Sequence, residues 1–334
     1  MRTQTGVEQY RDSGSPVSRA EAVERIAVIG AGLMGHGIAL TYALSGRTVA
    51  LHDVDPEVLD EAEERIRSAH GVLADRREVD SASAVLDRIA FEPELGGAVD
   101  GADFVTEAVA ERMEVKKQVF RNLDSRAPGE AVLATNTSGL SITEIGSVVD
   151  DPSRVVGTHW FNPPYVVPLV EVVRGDETGD EAVELSRTLL EDAGKTAVEV
   201  EKDVPGFVGN RIQLAMAYEA FSLLERGVAS AEEIDKAVRA GFGFRLPVLG
   251  IFEKIDQSGL DVEYEVESYL LETLDRGIEP SDLLADLVED GHHGLETGRG
   301  IYDWSDADPE EVYRDRDEAL LSILDTYQSL EAGE

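Results

Sequence analysis

Two titratable side chains interrupt the apolar stretch GTHWFNPPYVVPLVEVV, which spans residues 157–173. His159 is one of only six histidines in the chain, and Glu171 follows it in the next apolar run. Histidine exchanges a proton near neutral pH, and a carboxylate beside it would fix its tautomer and stabilise the imidazolium. The two groups either pair for stability or carry out acid–base chemistry. If the strand-like runs that carry them are neighbours, the two side chains can meet.

A glycine-rich turn between two short β-rich runs lies earlier in the chain. RIAVIG leads directly into GAGLMG, a helical pattern follows, and the second run, TVALHD, ends in Asp53. This order of strand, G-x-G-x-x-G, helix, strand and acid is typical of a dinucleotide site. Gly30 would make the tight turn, Gly32 would let a pyrophosphate approach the backbone, and Gly35 would let the helix pack on the strand. The N–H groups at the helix start would hold the phosphates.

Asp53 indicates NAD rather than NADP. Its carboxylate can accept hydrogen bonds from the ribose hydroxyls and would repel a 2′-phosphate, and no arginine follows it to offset that repulsion. A tight strand–helix turn without a ligand is the plain alternative. That alternative does not explain an acid at the end of the second strand.

Strand-like and helical segments alternate through the first half of the chain. Six further strand-like runs follow between residues 88 and 201, with helical patterns such as 111–124 and 180–193 between most of them. This alternation predicts an α/β doubly wound sheet, in which ligands bind at the carboxyl ends of the strands. The polar residues that fall at such ends are Glu107, Asn136, Ser138 and His159.

The second half of the chain has helical patterns only. Residues 212–224 are apolar nearly all round, which is typical of a central buried helix, and Ser230 with Glu233 forms a capping box. We therefore predict an all-α domain with a subunit interface. The predicted divisions are a disordered leader at 1–22, a nucleotide-binding domain at 23–203 with a helical insertion at 56–87, and the all-α domain at 204–334.

Composition limits the classes of protein and site. The chain has 334 residues, is 42% hydrophobic and contains no cysteine, which excludes disulfides and thiolate zinc sites. His292 and His293 lie in a polar turn and would make a poor metal site, so no metal is expected. No apolar run is long enough to cross a bilayer, and the N-terminus lacks the apolar segment of a signal peptide. We expect a soluble cytoplasmic protein.

The charge of the chain is strongly acidic. Its net charge of −38 comes from 68 acidic against 30 basic residues. Nucleic acids and anionic membranes need basic patches on their partners, so neither is expected as a partner. Because salt screens self-repulsion, the charge favours a protein from a salt-rich cytoplasm. An acidic protein of an ordinary cell is the alternative.

Five motifs together resemble the 3-hydroxyacyl-CoA dehydrogenases. They occur in the family's order between about residues 25 and 304, and they are GAGLMGHGIA, EAVAERMEVKKQVF, TNTSGLSI, HWFNPP with LVEVV, and PGFVGNR. The resemblance implies a Rossmann domain followed by a helical dimerisation domain, with the active site in the cleft between them. It also implies a homodimer that uses NAD to oxidise L-3-hydroxyacyl-CoA to 3-oxoacyl-CoA, as in the β-oxidation of fatty acids.

The resemblance assigns roles to the matching positions. His159 resembles the catalytic base, Glu171 its partner, and Ser138 the hydroxyl that binds the 3-oxygen of the substrate. Asn210 resembles the residue that reaches the substrate carbonyl. The positions that resemble the lining of the NAD site are Gly30, Gly32, Leu33, Met34, Gly35, Asp53, Glu111, Lys116, Asn136, Ser138 and Asn162.

Most of these residues also have a structural interpretation. His159 could be a hydrogen-bonded core histidine, and Asn136 or Ser138 could cap the helix that starts near residue 141. Asn210 could be a polar residue at a helix start, and Lys116 could belong to a solvated lysine pair.

Departures from the family's pattern leave the substrate open. Where the family usually has Gly-Pro-Phe-Glu, residues 250–253 read Gly-Ile-Phe-Glu, and Glu296 stands where many members have a lysine. Arg245 and Lys254 bring positive charge near the altered stretch and could pair with a free carboxylate. Because CoA is anionic, it would need a basic patch. The candidates for that patch in the insertion are Arg65, Arg67, Arg76 and Arg77.

Three functions are compatible with these observations. The first is an NAD-dependent L-3-hydroxyacyl-CoA dehydrogenase, and the second is an NAD-dependent dehydrogenase of a free 3-hydroxy acid such as a sugar acid or carnitine. The third is a nucleotide-binding structural or regulatory protein without turnover. A protein of the third kind would have no need for the full set Ser138, His159, Glu171 and Asn210.

Overall fold

The computed structural model describes residues 23–275 and 277–332. The predicted leader at 1–22 lies outside the described residues. The chain divides into two units, Met1–Val208 and Gly209–Glu334, and each is described by itself.

One sheet of eight strands organises the first unit, in the spatial order β3-β2-β1-β4-β5-β6-β7-β8. The strands are β1 (Arg25–Ile29), β2 (Thr48–His52), β3 (Ile89–Glu92), β4 (Phe104–Glu107), β5 (Val132–Thr135), β6 (Val155–Trp160), β7 (Leu169–Val173) and β8 (Thr196–Val200). Neighbouring strands are parallel except β6 and β7, which are antiparallel. The predicted doubly wound α/β sheet is confirmed.

Helices connect most of these strands. They are α1 (Gly35–Leu44), α2 (Pro56–Ala74), α3 (Ala82–Leu86), α4 (Leu95–Val99), α5 (Met113–Arg126), α6 (Ile142–Gly146) and α7 (Asp180–Asp192). Since both faces of the sheet are covered, the central strands read as continuous runs of apolar residues, and β1, β4 and β5 are almost fully buried. The predicted insertion folds as α2 and α3, and α2 buries one apolar face that includes Leu59 and Ile66.

The second unit is helical, as predicted. Its helices are α8 (Gly209–Glu225), α9 (Ala231–Ala240), α10 (Phe242–Arg245), α11 (Ile251–Ser258), α12 (Leu260–Leu270), α13 (Asp282–Glu289) and α14 (Pro309–Ala332). In the part of the chain that the structure describes, no helix combines the length and the apolar composition needed to cross a membrane.

The prediction that residues 212–224 are buried is wrong for the single chain. Within α8 only Ser222 is buried, whereas Ile212 and Leu214 are 51% and 67% exposed. An apolar surface on all sides of a helix indicates that the helix is covered, but it does not indicate which chain supplies the cover.

Candidate active site

His159 and Glu171 lie directly opposite each other on the antiparallel strands β6 and β7. The Nδ1 of His159 donates to Oε2 of Glu171 across 2.7 Å. Both residues are buried, with 4% and 1% of their surfaces exposed. Side chains that face each other on antiparallel strands are close enough to bond. The strand register therefore brings the predicted pair together.

Glu171 is held from a second side by the chain that follows β8. Its Oε1 accepts a hydrogen bond of 3.0 Å from the backbone N–H of Val208. Phe207, just before it, has a φ of 49°, which non-glycine residues rarely adopt. The ring of Phe207 lies 5.7 Å from that of His159, and the ring of Phe161 lies 4.6 Å away. The imidazole is thus oriented by one carboxylate and packed between two apolar rings.

This arrangement is suited to proton transfer. With Glu171 ionised, both of its oxygens accept hydrogen bonds, so the imidazole carries its proton on Nδ1. The basic nitrogen is then Nε2. If Nε2 takes up a proton, the adjacent carboxylate stabilises the resulting imidazolium. A buried histidine with this partner can therefore act as a general base and, in reverse, as a general acid.

The glycine-rich turn between β1 and α1 fits a dinucleotide. A Cβ on Gly35 would lie 1.7 Å from the carbonyl oxygen of Gly30, so only glycine lets the helix start here. Gly30 itself has a φ of 103°, and a Cβ on it would lie 2.6 Å from the oxygen of Ala108. A Cβ on Gly32, by contrast, would meet no atom of the described residues within 4 Å, its chain neighbours aside. The open side of Gly32 is where a pyrophosphate could approach the backbone.

Asp53 follows β2 and faces the same turn. Its Oδ2 accepts from the N–H of Ala31 at 2.9 Å, and its Oδ1 accepts from the N–H of Asp55 at 3.1 Å. These bonds fix the carboxylate next to the glycine-rich turn. Leu33 in the turn is 66% exposed, and Met34 is partly exposed, so both are available to a bound molecule.

A buried ion pair lies at the carboxyl end of β4. Lys116 is 1% exposed, and its Nζ donates to Oε1 of Glu107 at 2.8 Å. The other oxygen of Glu107 accepts from Thr135 at 2.6 Å. Lys116 also lies 3.3 Å from Oε2 of Glu111. Lys116 is therefore not half of a solvated lysine pair; it links two carboxylates.

Glu111 connects Lys116 to the loop that carries Ser138. Its Oε1 accepts from Oγ1 of Thr137 at 2.6 Å and from the N–H of Ser138 at 2.8 Å. The Ser138 residue itself is exposed. The cap of α6 is Ser141, whose Oγ accepts from Glu144, so neither Ser138 nor Asn136 serves as that cap.

The remaining predicted residues have different surroundings. Asn136 is 8% exposed, and its Oδ1 accepts from the N–H of Trp160 at 2.8 Å, which ties β5 to the end of β6. Asn162 is exposed in the connection between β6 and β7. Asn210 lies in the first turn of α8, in the second unit. His36, which is not one of the predicted site residues, donates from Nδ1 to the carbonyl of Gly32 at 2.8 Å, and burial lowers its pKa.

The arginines predicted to bind CoA include two that are already paired. Arg65 lies 2.8 Å from Glu61, and Arg67 lies 2.6 Å from Glu63, each one turn away on α2. The exposed side of α2 is thus not a basic patch.

Three parts of this site were not predicted from the sequence. They are the N–H of Val208, the Thr137 hydroxyl, and Lys195, which is buried beneath the connection between β6 and β7. The residue types of a sequence do not indicate which backbone N–H will donate to a buried side chain. Lysines are mostly exposed, so nothing distinguished Lys195.

The chain matches two family models. The model described as the NAD binding domain of 3-hydroxyacyl-CoA dehydrogenase matches residues 25–204, and the model of its C-terminal domain matches residues 206–304. Together these matches cover most of the chain.

Similar proteins include enzymes with different substrates. One is the 5-formyl-3-hydroxy-2-methylpyridine 4-carboxylate 5-dehydrogenase of Mesorhizobium japonicum, 33% identical over 301 residues that cover 90% of this chain and 97% of the relative. A solved structure of an NAD⁺-dependent enzyme of that activity matches with a TM-score of 0.83 and 32% identity over 92% of this chain and 99% of the other. A probable 3-hydroxybutyryl-CoA dehydrogenase of Bacillus subtilis is 39% identical over 287 residues, 85% of this chain and 98% of the relative.

Proposed function

Because the chain belongs to the 3-hydroxyacyl-CoA dehydrogenase family, we propose that it oxidises L-3-hydroxyacyl-CoA to 3-oxoacyl-CoA, reversibly and with NAD. The observation that carries this proposal is the buried His159–Glu171 pair, with its 2.7 Å hydrogen bond. The same reaction would place the protein in fatty acid metabolism, at a step of β-oxidation.

The cofactor is NAD. When bound, NAD supplies the acceptor for the hydride that leaves C3 of the substrate. The residues we propose to hold it are Gly30, Gly32, Leu33, Met34, Gly35, Asp53, Glu111, Lys116, Asn136, Ser138 and Asn162. The fixed carboxylate of Asp53 supports recognition of the ribose hydroxyls, and the open side of Gly32 supports contact with the pyrophosphate.

His159 is the proposed catalytic base. Its Nε2 takes the proton of the 3-hydroxyl group as the hydride leaves, and Glu171 stabilises the imidazolium that forms. Ser138 donates a hydrogen bond to the 3-oxygen, and Asn210 binds the substrate carbonyl. The bond from the Ser138 N–H to Glu111 supports a fixed position for that serine.

A substrate panel tests this proposal. We expect the purified protein, assayed by NADH absorbance at high salt, to reduce acetoacetyl-CoA with a kcat/KM ~10²-fold or more above that for acetoacetate, because remote binding energy lowers the barrier. With NADPH in place of NADH, kcat/KM should fall by ~10–100-fold. This is the effect of losing one hydrogen bond from the ribose 2′-hydroxyl to the charged Asp53. NAD binding without turnover of any hydroxy or oxo acid would instead indicate a regulatory protein.

A free 3-hydroxy acid is the second candidate substrate. It is favoured by the pairing of Arg65 and Arg67 with glutamates of the same helix, because a neutralised surface attracts the anionic end of CoA poorly. The similar enzyme that is named for a pyridine carboxylate is consistent with a free carboxylate in place of a CoA thioester. A higher kcat/KM for free acids than for thioesters in the same panel would decide for it.

We also propose that the protein forms a homodimer through its second unit. Several large apolar side chains of that unit are exposed in the single chain, among them Phe244 at 77%, Phe252 at 83% and Tyr264 at 75%. An apolar surface of this extent usually marks an interface, and a symmetric pair of identical chains is the commonest solution.

The mass in solution tests this assembly. We expect light scattering at high salt to give twice the mass of one chain, and Phe244→Glu to lower it toward that of the single chain. Exposed Glu177→Gln in the first unit should leave it unchanged. A wild-type protein with the mass of one chain would contradict the proposal.

A further inference from the structure

Lys195 is a buried cation that the proposed mechanism does not use. It precedes β8 and is only 9% exposed. Its Nζ donates to the carbonyl of Pro164 and, at 3.1 Å, to the carbonyl of Val167. It also lies 5.6 Å from the ring centre of Trp160. All three contacts are with the end of β6 or with the connection 161–168 between β6 and β7.

This connection begins next to the proposed base. Trp160 follows His159 directly, and its N–H is fixed by Asn136. Asn162, one of the proposed NAD-site residues, lies two residues before Pro164. Any shift of this segment would therefore move a residue next to the proposed base and a residue of the proposed NAD site.

The connection 161–168 also packs against α1, the helix that follows the glycine-rich turn. The carbonyl of Pro164 also lies 3.5 Å from Oγ1 of Thr41 in α1, whose hydroxyl donates mainly to the carbonyl of Gly37 at 2.9 Å. A Cβ on Gly37 would lie 3.0 Å from Cδ of Pro164 and 3.2 Å from Cδ1 of Tyr165. Pro164 thus contacts both α1 and the ammonium group of Lys195, which links Lys195 to the packing of the connection on α1.

Keeping a cation at this position has a cost. Burial, with a smaller contribution from the nearby charge of Arg77, lowers the pKa of Lys195 to about 7, because the charged form loses its hydration. An apolar side chain would fill the space without that cost, but it would remove the ammonium donor from the carbonyls of Pro164 and Val167. A lysine here is consistent with a need to fix the two carbonyls, which packing alone cannot do.

From these contacts we propose that Lys195 is a positioning residue for proton transfer at His159, acting by fixing the connection 161–168 against α1. This inference rests on the proposed role of His159 as the base. Lys195 does not touch the reacting atoms; it acts through Pro164, Val167 and Trp160.

Two substitutions separate positioning from packing. In Lys195→Met the side chain keeps about the length of lysine but has no hydrogen-bond donor. In Lys195→Gln the side chain is shorter but can still donate a hydrogen bond. We expect kcat to fall ~10²-fold in the methionine variant, the typical effect of a displacement of about 1 Å, and to fall less in the glutamine variant. KM for NAD should change less than kcat, because Asn162 is the one proposed NAD-site residue within the connection 161–168. A purely structural role predicts the opposite order, since methionine fills the space better.

Additional variants keep the test valid if Lys195→Met does not fold. Thr41→Val removes the weaker contact to Pro164 together with the bond to Gly37, and we expect kcat to fall by about 2- to 10-fold, as for a neutral hydrogen bond. Lys236→Met, at a side chain that is 71% exposed, is the matched control and should retain wild-type kcat. Wild-type kcat in Lys195→Met, or a methionine variant as active as the glutamine variant, would overturn the inference.

The imidazole signal of His159 gives a readout that does not depend on turnover. In ¹⁵N-histidine-labelled protein with NAD bound, the His159 resonances should shift in Lys195→Met and not in Lys236→Met. If the wild-type protein turns over no hydroxy acid, the proposed function fails, whereas the inference about Lys195 is still decided by this shift. Unchanged His159 resonances in Lys195→Met would overturn it.

Discussion

Replacement of His159 by glutamine is expected to lower kcat by ~10²–10⁴-fold, the usual contribution of a general base. Glutamine can still accept a hydrogen bond from substrate, but it cannot take up the proton of the 3-hydroxyl group. KM should change much less, because Nε2 does its work in the transition state rather than in the bound ground state. The measurement is steady-state kinetics of acetoacetyl-CoA reduction with NADH at high salt.

His293→Gln is the matched control, since His293 is exposed in the second unit. It should leave kcat and KM unchanged. NAD binding by His159→Gln, followed by the quenching of protein fluorescence, should stay close to wild type and show that the variant is folded. Wild-type turnover in His159→Gln would end the proposal that this imidazole is the base.

Glu171→Gln should have an effect of similar size for a different reason. Glu171 accepts from two donors, Nδ1 of His159 at 2.7 Å and the N–H of Val208 at 3.0 Å. Glutamine has only one acceptor oxygen, and the backbone N–H of Val208 cannot reverse its direction. The amide NH₂ must then face Nδ1, which forces the proton of His159 onto Nε2. Such a tautomer cannot act as a base, and the matching change in a Ser-His-Asp site costs about 10⁴-fold.

We therefore expect kcat of Glu171→Gln to fall by ~10³–10⁴-fold with little loss of folding stability. The ¹⁵N shifts of His159 should report the change of tautomer directly. Glu177→Gln, at an exposed position, should behave as wild type in both measurements. A kcat within tenfold of wild type, with the proton still on Nδ1, would show that Glu171 does not set the tautomer.

Much of the first unit follows from local pattern. The strand runs RIAVIG and TVALHD, the glycines between them and the acid after them each have one physical explanation, and together they predict the turn that the structure contains. His159 and Glu171 were predicted to meet only if their strands were neighbours. The antiparallel register of β6 and β7 supplies that condition.

Other features could not be read from residue types. The apolar surface of α8 predicts burial, but burial by a second chain and burial within one chain have the same pattern, and only Ser222 of α8 is buried. The N–H of Val208 reaches Glu171 because of the backbone conformation at Phe207, where φ is 49°. That conformation is unusual for phenylalanine. Tertiary contacts impose it, and the identity of the residue does not indicate it.

The pairing of His159 with Glu171 across β6 and β7 restricts which insertions and deletions the protein can tolerate. A slide of β7 past β6 by a single position would bring Val170 or Val172 opposite the histidine and turn the acid to the other side of the sheet. Such a slide would also separate the buried carboxylate of Glu171 from its two donors, so the protein would lose its chemistry together with part of its stability. Insertions and deletions between these strands can therefore survive selection only where the loop absorbs them and leaves the strand alignment unchanged.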